Sequence, residues 1–467
     1  LGYHLSPPFS SILQGISAKI TITEGPKYQY NQFVIELIEE GTMMKKRILL
    51  TAATMLSVIG IAGCGNYGSG TSDDGSVTLE VFNIKTETAE QMDRLVAAFE
   101  ESHEDIKINM TTVGGGTDAT AALQSKFSSG DEPDIFMLGG LADTQTWEHK
   151  LYDLGETELA QKAIEGTLEG ATLNETVYGL PMNIEGYGWL INKELFQQAG
   201  IDSEAIETFA DFKEAVETLD SKKEELGLDG VFGFSGGETW VSSQFSSNFF
   251  APEFNDSLKE TLEAKKLHLT YEAQLKDYAD LAIQYNAQPL ESMDYSTSVE
   301  ELFASEKVAI IHQGNWIVPT LNSLDDTFAK EKLAIVPIEV GDGSKIVAGP
   351  AWYWGVNKDK EQEVIDASIQ FLTWMYTDEE AMTAIIDDFE FIPAYTNFSS
   401  DDISDPLSND IYTYLTNGQT VPWVHNSYPD GYGQNIFGVQ FQAYAADQIS
   451  WTEFTDQLKS SWAQERQ

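Results

Sequence analysis

The sequence has a single cysteine, Cys64, and few basic residues: 27 lysines and arginines stand against 75 aspartates and glutamates in 467 residues. A lone cysteine excludes an intramolecular disulfide and any cysteine-built zinc or iron–sulfur centre. The formal net charge of −48 removes the basic face that a nucleic-acid binder needs to neutralise phosphates. It also disfavours adsorption of the folded part to an anionic membrane surface. No His-x3-His pair, histidine–cysteine cluster or EF-hand loop occurs, so no metal and no cofactor is expected. The triglycine Gly114-Gly115-Gly116 lacks the Lys-Ser/Thr of a phosphate loop and reads as a turn. Tandem repeats are absent too.

Apolar and aromatic residues are plentiful. A hydrophobic fraction of 42% with 10 Trp, 19 Tyr and 24 Phe is too rich for disorder, whatever the charge. The chain therefore reads as an acidic folded domain, or two.

The longest apolar run, residues 48–63, follows Lys45-Lys46-Arg47 and ends at Cys64. A basic stretch, a short apolar stretch and small residues describe a secretory signal over 43–63. Ile61-Ala62-Gly63-Cys64 resembles a bacterial lipobox, whose cysteine is acylated before cleavage. An ordinary signal peptide or an uncleaved anchor would share the pattern, but the only cysteine falls where lipidation needs it. Residues 1–42 lie upstream of that signal, and the first methionines are Met43 and Met44. We expect residues 1–42 to be a non-native extension of the reading frame. Glu39-Glu40-Gly41 requires a purine-rich tract that could itself be the ribosome-binding site; a genuine prepeptide with a non-ATG start is the alternative. Residues 64–76, rich in Gly, Ser and Asp, have the composition of a flexible tether.

From Val77 the pattern changes. Residues 77–82 alternate as a strand, and Thr88-x-x-Gln91 carries a capping-box signature. Met92, Leu95, Val96 and Phe99 then fall on one helical face. Strands over 106–113 and 134–138 alternate with a helix over 118–127, which predicts parallel sheets with crossover helices. Further strands are expected over 231–234, 307–311 and 333–337. Helices are expected over 361–376 and after Thr377-x-x-Glu380, and at the C-terminal end with Phe454, Leu458 and Trp462 inward.

Gly233-Phe234-Ser235-Gly236-Gly237 matches the G-x-S-x-G elbow of serine hydrolases, with His268, His312 and His425 as available bases. Five-residue glycine matches are common by chance. Paired carboxylates for a glycosidase arise everywhere in so acidic a chain. The aromatic placement is more telling. Glu238-Thr239-Trp240, Gln313-Gly314-Asn315-Trp316, Trp352 within Gly349–Trp354, and Trp423-Val424-His425-Asn426-Ser427-Tyr428 set rings beside glycine and short polar residues. Each ring alone is as readily a core residue. Together they suit a sugar, whose apolar C–H face stacks on a ring while its hydroxyls meet amides and carboxylates.

Tyr178-Gly179-Leu180-Pro181, the stretch from Tyr187 to Phe196 and Ala199-Gly200-Ile201 closely resemble a signature of extracellular solute-binding proteins of carbohydrate ABC importers. Phe303-x3-Lys307-Val308-Ala309-Ile310 with Gly314-Asn315-Trp316, then Ala348-Gly349-Pro350-Ala351 to Lys358, continue that resemblance in order. The raffinose and multiple-sugar-binding lipoproteins of Gram-positive bacteria look most similar. The resemblance implies an α/β fold: a two-lobe, periplasmic-binding-protein-like clamp with a hinge of crossing segments. It implies lobe one over 77–184 and 339–393, and lobe two over 185–338 and 394–467.

Ligands of open α/β sheets lie at the carboxyl ends of strands, where Asn83, Lys85 and Glu87, then Glu238 and Trp240, then Gln313, Asn315 and Trp316 fall. With Glu185 and Tyr187 on the first crossing, and Trp352, Trp423, His425 and Tyr428, they make up the expected ligand-binding set. The implied partners are an oligosaccharide (of the α-galactoside, fructo- or gluco-oligosaccharide class) and ABC permease subunits. The chain would act as a monomer, lipid-anchored at the outer face of the cytoplasmic membrane, with no catalysis and no nucleic acid. Relatives of the raffinose type tend to carry an Asp after the Ala-Gly pair, where Pro350-Ala351 stand here, so the sugar preference does not carry over. A secreted glycosidase or esterase using Ser235, or a glycan adhesin without import, are the competing expectations.

Overall fold

A computed structural model describes residues 17–20, 35–38, 70–71, 76–113, 119–325, 327–341, 343–399, 403 and 405–467. The expected signal segment 43–63 and Cys64 lie outside the described residues. Within residues 1–66, Ser17–Ile20 pairs antiparallel with Ile35–Ile38. In the stretch read as a tether, Gly70–Thr71 pairs antiparallel with Val77 and Thr78, at the start of the first strand of the unit that follows.

Two six-stranded sheets organise residues 67–467. In the first, Val77–Asn83 lies parallel to both Ile106–Thr112 and Ile135–Leu138. Tyr353–Val356 then runs antiparallel to Ile135–Leu138, with Leu180–Pro181 beside it. The crossover helix Ala89–Ser102 buries Met92, Leu95 and Phe99, the face set by the i, i+3, i+7 spacing. Its entry differs from expectation. Thr88 occupies the cap position, but its side chain makes no cap bond and its Oγ1 is buried without a partner. At the helix Glu379–Asp387 the cap is Asp378, whose Oδ1 accepts from the N–H groups of Glu380 and Ala381, rather than Thr377. Thr377 instead ends the preceding helix, its hydroxyl turned back to Thr373 O.

The second sheet departs from the parallel pattern. Its central strand, Ile184–Asn192, is buried at all nine positions. It pairs antiparallel with Ile310–Gly314 on one side. On the other side it pairs with Gly343–Pro350 and then Leu333–Val336, both antiparallel. Ile338–Val340 folds back on Gly343–Pro350 through a tight turn in which Gly341 takes a φ of +65°, a backbone shape glycine adopts without strain. Turns this short admit only antiparallel neighbours. Among the described strands of this sheet only Thr420–Val421 runs parallel, beside Gly343–Pro350.

This pairing corrects three expectations. Residues 339–340 and 343–350, expected with lobe one, belong to the second sheet, and the chain rejoins the first sheet at Tyr353–Val356. The strand expected over 307–311 is Ile310–Gly314, because Glu306 at φ +58° and the bond from Lys307 N to Leu302 O close a turn first. Residues 231–234 make only single bridges at Phe232, to Asn286 and Ile310. The C-terminal helix Trp451–Glu465 buries Phe454, Leu458 and Trp462 as its spacing requires. Trp316 and Trp352 are only partly buried, and each packs against two hydrophobic cores, one containing the first sheet's central strand and the other Tyr187 and Trp189.

Candidate functional site

The polar half of the site starts where Val77–Asn83 ends. Asn83 is fully buried; its Oδ1 accepts from Lys85 N (3.2 Å) and its Nδ2 donates to Thr112 Oγ1 (3.2 Å), fixing the loop. The Lys85 ammonium lies 2.6 Å from Glu185 Oε1 and 2.6 Å from Glu87 Oε1. Burial alone would lower the Lys85 pKa, but the two carboxylates outweigh it and hold the group above the ordinary lysine value. Asn183 Nδ2 donates to Glu185 Oε1 (3.2 Å), leaving Asn183 Oδ1 buried and without a donor. Two carboxylates, one ammonium and an amide offer both acceptors and donors, the chemistry that reads hydroxyl groups.

The aromatic half stands on the second sheet. Trp316 follows strand Ile310–Gly314 in a single 3-10 turn, Asn315–Ile317. Its Nε1–H donates to Gln313 Oε1 (2.9 Å), and Gln313 Nε2 donates to Ser235 Oγ (3.3 Å). Asn315 Oδ1 accepts from Gly186 N (3.0 Å), tying the turn to the central strand. Gly314 has to be glycine here. A Cβ at that position would sit 2.2 Å from the Trp316 ring and 2.5 Å from Gly186 O.

Around Trp316 the rings of Tyr187, Trp423 and Trp240 lie at 6.0, 6.0 and 6.2 Å between centroids. Tyr187 meets Trp423 edge-on at 4.8 Å. Trp423 Nε1 donates to Glu185 O (3.3 Å), which joins the aromatic and polar halves. His425 Nδ1 lies 2.9 Å from Ser247 Oγ and 3.2 Å from Tyr187 Oη. Burial pushes the His425 imidazole down to about 3, so it is neutral at physiological pH. Tyr428, buried, shares a 3.0 Å bond with Ser246 Oγ, and its ring is 6.5 Å from His425. Glu238 is the cap residue of helix Thr239–Phe250, two positions before Trp240. Trp352 lies over Gly139, whose added Cβ would come within 3.2 Å of its ring.

The structure thus gathers Lys85, Glu87 and Glu185 into one polar cluster. Tyr187, Trp240, Trp316, Trp423, His425 and Tyr428 form one aromatic cluster. The roles differ from the expected uniform ligand shell. Asn83, Tyr187, Gln313, Asn315, Trp423 and Tyr428 are buried, because they lie on a strand, or on turns packed beneath it, and their polar atoms are engaged by the protein. They position the others. Glu87, Glu238, Trp240, Trp316, Trp352 and His425 are half-buried and retain accessible surface. Trp240 sits in the first turn of a helix rather than on a loop, and Gln313 on a strand.

Three further residues stood outside the expected ligand-binding set. Tyr295 stands 6.3 Å from Trp240 and feels the charges of Glu87 and Lys85; burial comes first among the causes that push its hydroxyl up to about 12. Asn183 supports Glu185. Asn426 packs against Gly140 and donates to Ala351 O (3.3 Å). The contacts of Tyr295 and Asn426 are long-range and carry no local signature, although Asn426 lies within the ring-bearing run 423–428. Asn183, two residues before Glu185, was within reach of inspection. Trp423 and Asn426 also line a cavity of about 370 Å³ with Gly140, Tyr353 and Tyr412.

Ser235 does not form a hydrolase elbow. It is fully buried, its Oγ accepts from the Gln313 amide, and His425 is bonded to Ser247 and Tyr187 instead. Among the described residues no group of three or more His, Cys, Asp or Glu side chains could hold a metal.

The family profile described as bacterial extracellular solute-binding protein matches residues 94–410. The multiple sugar-binding protein of Streptococcus mutans is 24% identical over 348 residues, covering 70% of this chain and 78% of that protein. Among solved structures, the solute-binding protein RafE in complex with raffinose superposes with a TM-score of 0.69 at 20% identity, over 84% of this chain and all of that one. The putative binding protein MsmE of Bacillus subtilis strain 168, in an open conformation, gives 0.68 at 19% identity, over 85% of this chain and 99% of its own. The fold is accordingly that of the two-lobe, periplasmic-binding-protein-like clamps.

Proposed function

The chain belongs to the bacterial extracellular solute-binding protein family, and from that premise we propose that it captures an oligosaccharide and delivers it to the permease of an ABC importer. Members of such a family are exported and bind their solute without converting it. The observation that carries the sugar reading is the half-buried pair Trp240 and Trp316, whose rings stand 6.2 Å apart beside the Lys85–Glu185–Glu87 cluster. Rings take the C–H faces of a pyranose and Glu87, the accessible edge of the charged cluster, takes its hydroxyls. The multiple-sugar, raffinose and chitin-oligosaccharide binders among the similar proteins support the same class.

In this proposal lobe one is built on the first sheet and lobe two on the second. The chain crosses between them near 182–185, 350–353 and 392–396. Ligand contacts to both lobes favour the closed arrangement, which is the form a permease would recognise. Trp240, Trp316, Glu87, Glu238, Trp352 and His425 touch the sugar, held by the buried shell behind them. The proposal includes an acylated Cys64 as the only membrane anchor, and a monomer. No helix among the described residues is long and apolar enough to cross a membrane.

A thermal-shift screen of mono- and oligosaccharides tests the class, because a ligand that binds only the native state raises its melting temperature. Stabilisation by α-galactosides, fructo- or gluco-oligosaccharides is expected. No shift with any sugar, beside a clear shift with amino acids or peptides, would overturn it.

A further inference from the structure

The run Gly233-Phe234-Ser235-Gly236-Gly237 is no hydrolase elbow, yet it is hydrogen-bonded along its length. Gly233 N donates to Ile310 O (2.8 Å) and Phe234 N to Asn286 Oδ1 (2.7 Å). Gly237 N donates to Met293 O (2.9 Å), so close that a Cβ on Gly237 would sit 2.6 Å from that oxygen. Glu238 N then donates to Ser235 O (3.1 Å), where the chain turns into helix Thr239–Phe250. Trp240 stands in the first turn of that helix.

Two carbonyls of this turn meet one side chain from far along the sequence. Gln442, half-buried on helix Val439–Ala445, donates from Nε2 to Gly236 O (2.8 Å) and to Gly237 O (3.1 Å). Carbonyls only accept, so the amide nitrogen and not Oε1 faces them. Gly438, directly before that helix, lets it come close. A Cβ there would fall 2.6 Å from Thr239 Cβ and 2.8 Å from Thr239 O. The backbone that bears Trp240 is therefore held at Gly236, Gly237 and Thr239.

The same run also reaches Trp316. An indole N–H can only donate, so Gln313 presents Oε1 to Trp316 Nε1 (2.9 Å) and turns its Nε2 to Ser235 Oγ (3.3 Å). Ser235 is fully buried, which shields that bond from solvent. We propose that Gln442 and Ser235 are positioning residues for the stacking pair. Gln442 acts through the backbone that bears Trp240, and Ser235 through Gln313 and Trp316. One five-residue run thereby sets the 6.2 Å separation of the two rings. The effect on binding rests on the proposed function; the placement of the rings does not.

Fluorine NMR of the full-length protein labelled with fluorotryptophan reads the rings without any ligand. Its 10 tryptophans give separate signals, and Trp240→Phe, Trp316→Phe and Trp451→Phe assign the three that matter. Trp451 is the control, because it packs at 5.0 Å on Tyr444 of the helix that carries Gln442. Gln442→Met keeps a long side chain and removes the donors. It is expected to shift the Trp240 signal and leave Trp451 in place, while Ser235→Ala shifts Trp316. Affinity is then measured for the oligosaccharide that stabilises the wild type most. Gln442→Met should weaken it about fivefold or more, but less than about twofold where Trp240 is already alanine, since residues acting through one another are not additive.

An unmoved Trp240 signal, or a Trp451 signal that moves as far, overturns the proposal; the second would show that Gln442 only docks its helix. So does an unmoved Trp316 signal in Ser235→Ala, or an equal loss of affinity with and without the Trp240 ring. If Gln442→Met does not fold, Ser235→Ala read at Trp316 decides alone. Signals that shift as expected in a protein that binds no sugar uphold the positioning and reject the sugar reading.

Discussion

The ammonium of Lys85 lies 2.6 Å from Glu185 Oε1, linking the loop after the first strand of one sheet to the central strand of the other. The two side chains are 6% and 3% exposed, so this ion pair is dry, and Glu87 completes it from the half-exposed side at 2.6 Å. A buried pair that loses one partner leaves an uncompensated charge.

Lys85→Met is therefore expected to destabilise the protein by about 3–5 kcal/mol at neutral pH, although methionine fills much of the lysine volume. Because the native pKa of Lys85 is raised, its contribution is present at all pH values below the unfolded lysine value of about 10.4 and is lost only as pH rises through the native one. Urea unfolding at pH 7 measures the cost. A loss below about 1 kcal/mol, the range of surface pairs, would show that the pair is solvated.

His312 on strand Ile310–Gly314 is fully buried among Tyr187, Trp189, Phe234 and Phe245, with neither ring nitrogen hydrogen-bonded. Burial pushes it down to about 3. With the native pKa below the unfolded one, its contribution is intact above about pH 6.5 and is lost as pH falls toward 3. His312→Phe keeps an aromatic ring and removes two unsatisfied nitrogens. It should unfold at equal or higher urea at pH 7, and exceed the wild type by about 2 kcal/mol near pH 4.5. A variant that loses stability equally at both pH values would show that the imidazole has a partner.

Gly314→Ala places a methyl group against the Trp316 ring and Gly186 O at once. Backbone cannot give as a flexible side-chain end can, so the tryptophan is displaced, at about 1–3 kcal/mol of stability. Sugar affinity should fall with it. Unchanged affinity would mean that the Trp316 position is not read by the ligand.

For the N-terminal part, mass spectrometry of protein from its native host should find a diacylglyceryl cysteine at position 64 and no peptide from residues 1–42. A free, soluble Cys64 would remove the anchor, and peptides spanning Lys27 to Lys45 would restore the upstream segment.

Much of the fold was legible in local pattern. The helix spacing of Met92, Leu95 and Phe99 and the alternation in Val77–Asn83 are short-range signals, and both stand in the structure. The antiparallel second sheet was not legible, because strand direction there depends on a turn at Gly341 and on pairings such as Trp189 with His312, 123 positions further along the chain. The ring positions were readable from their glycine and amide neighbours. The burial of Tyr187, Gln313 and Tyr428 was not, since polar residues on a buried strand or turn read as loop residues until their partners are known. Lys85 and Glu185 were each picked out singly; their contact across 100 residues has no local signature.

The central claim is that Trp316 is a stacking surface rather than a core residue. It is tested most directly by calorimetric titration of the wild type and Trp316→Ala with the oligosaccharide that stabilises the wild type most, beside their ligand-free melting temperatures. The account predicts binding weakened about tenfold to a hundredfold, the loss of about 1–3 kcal/mol of stacking, with the ligand-free melting temperature lowered by only a few degrees. A variant that melts far earlier yet binds the sugar with wild-type affinity would contradict it.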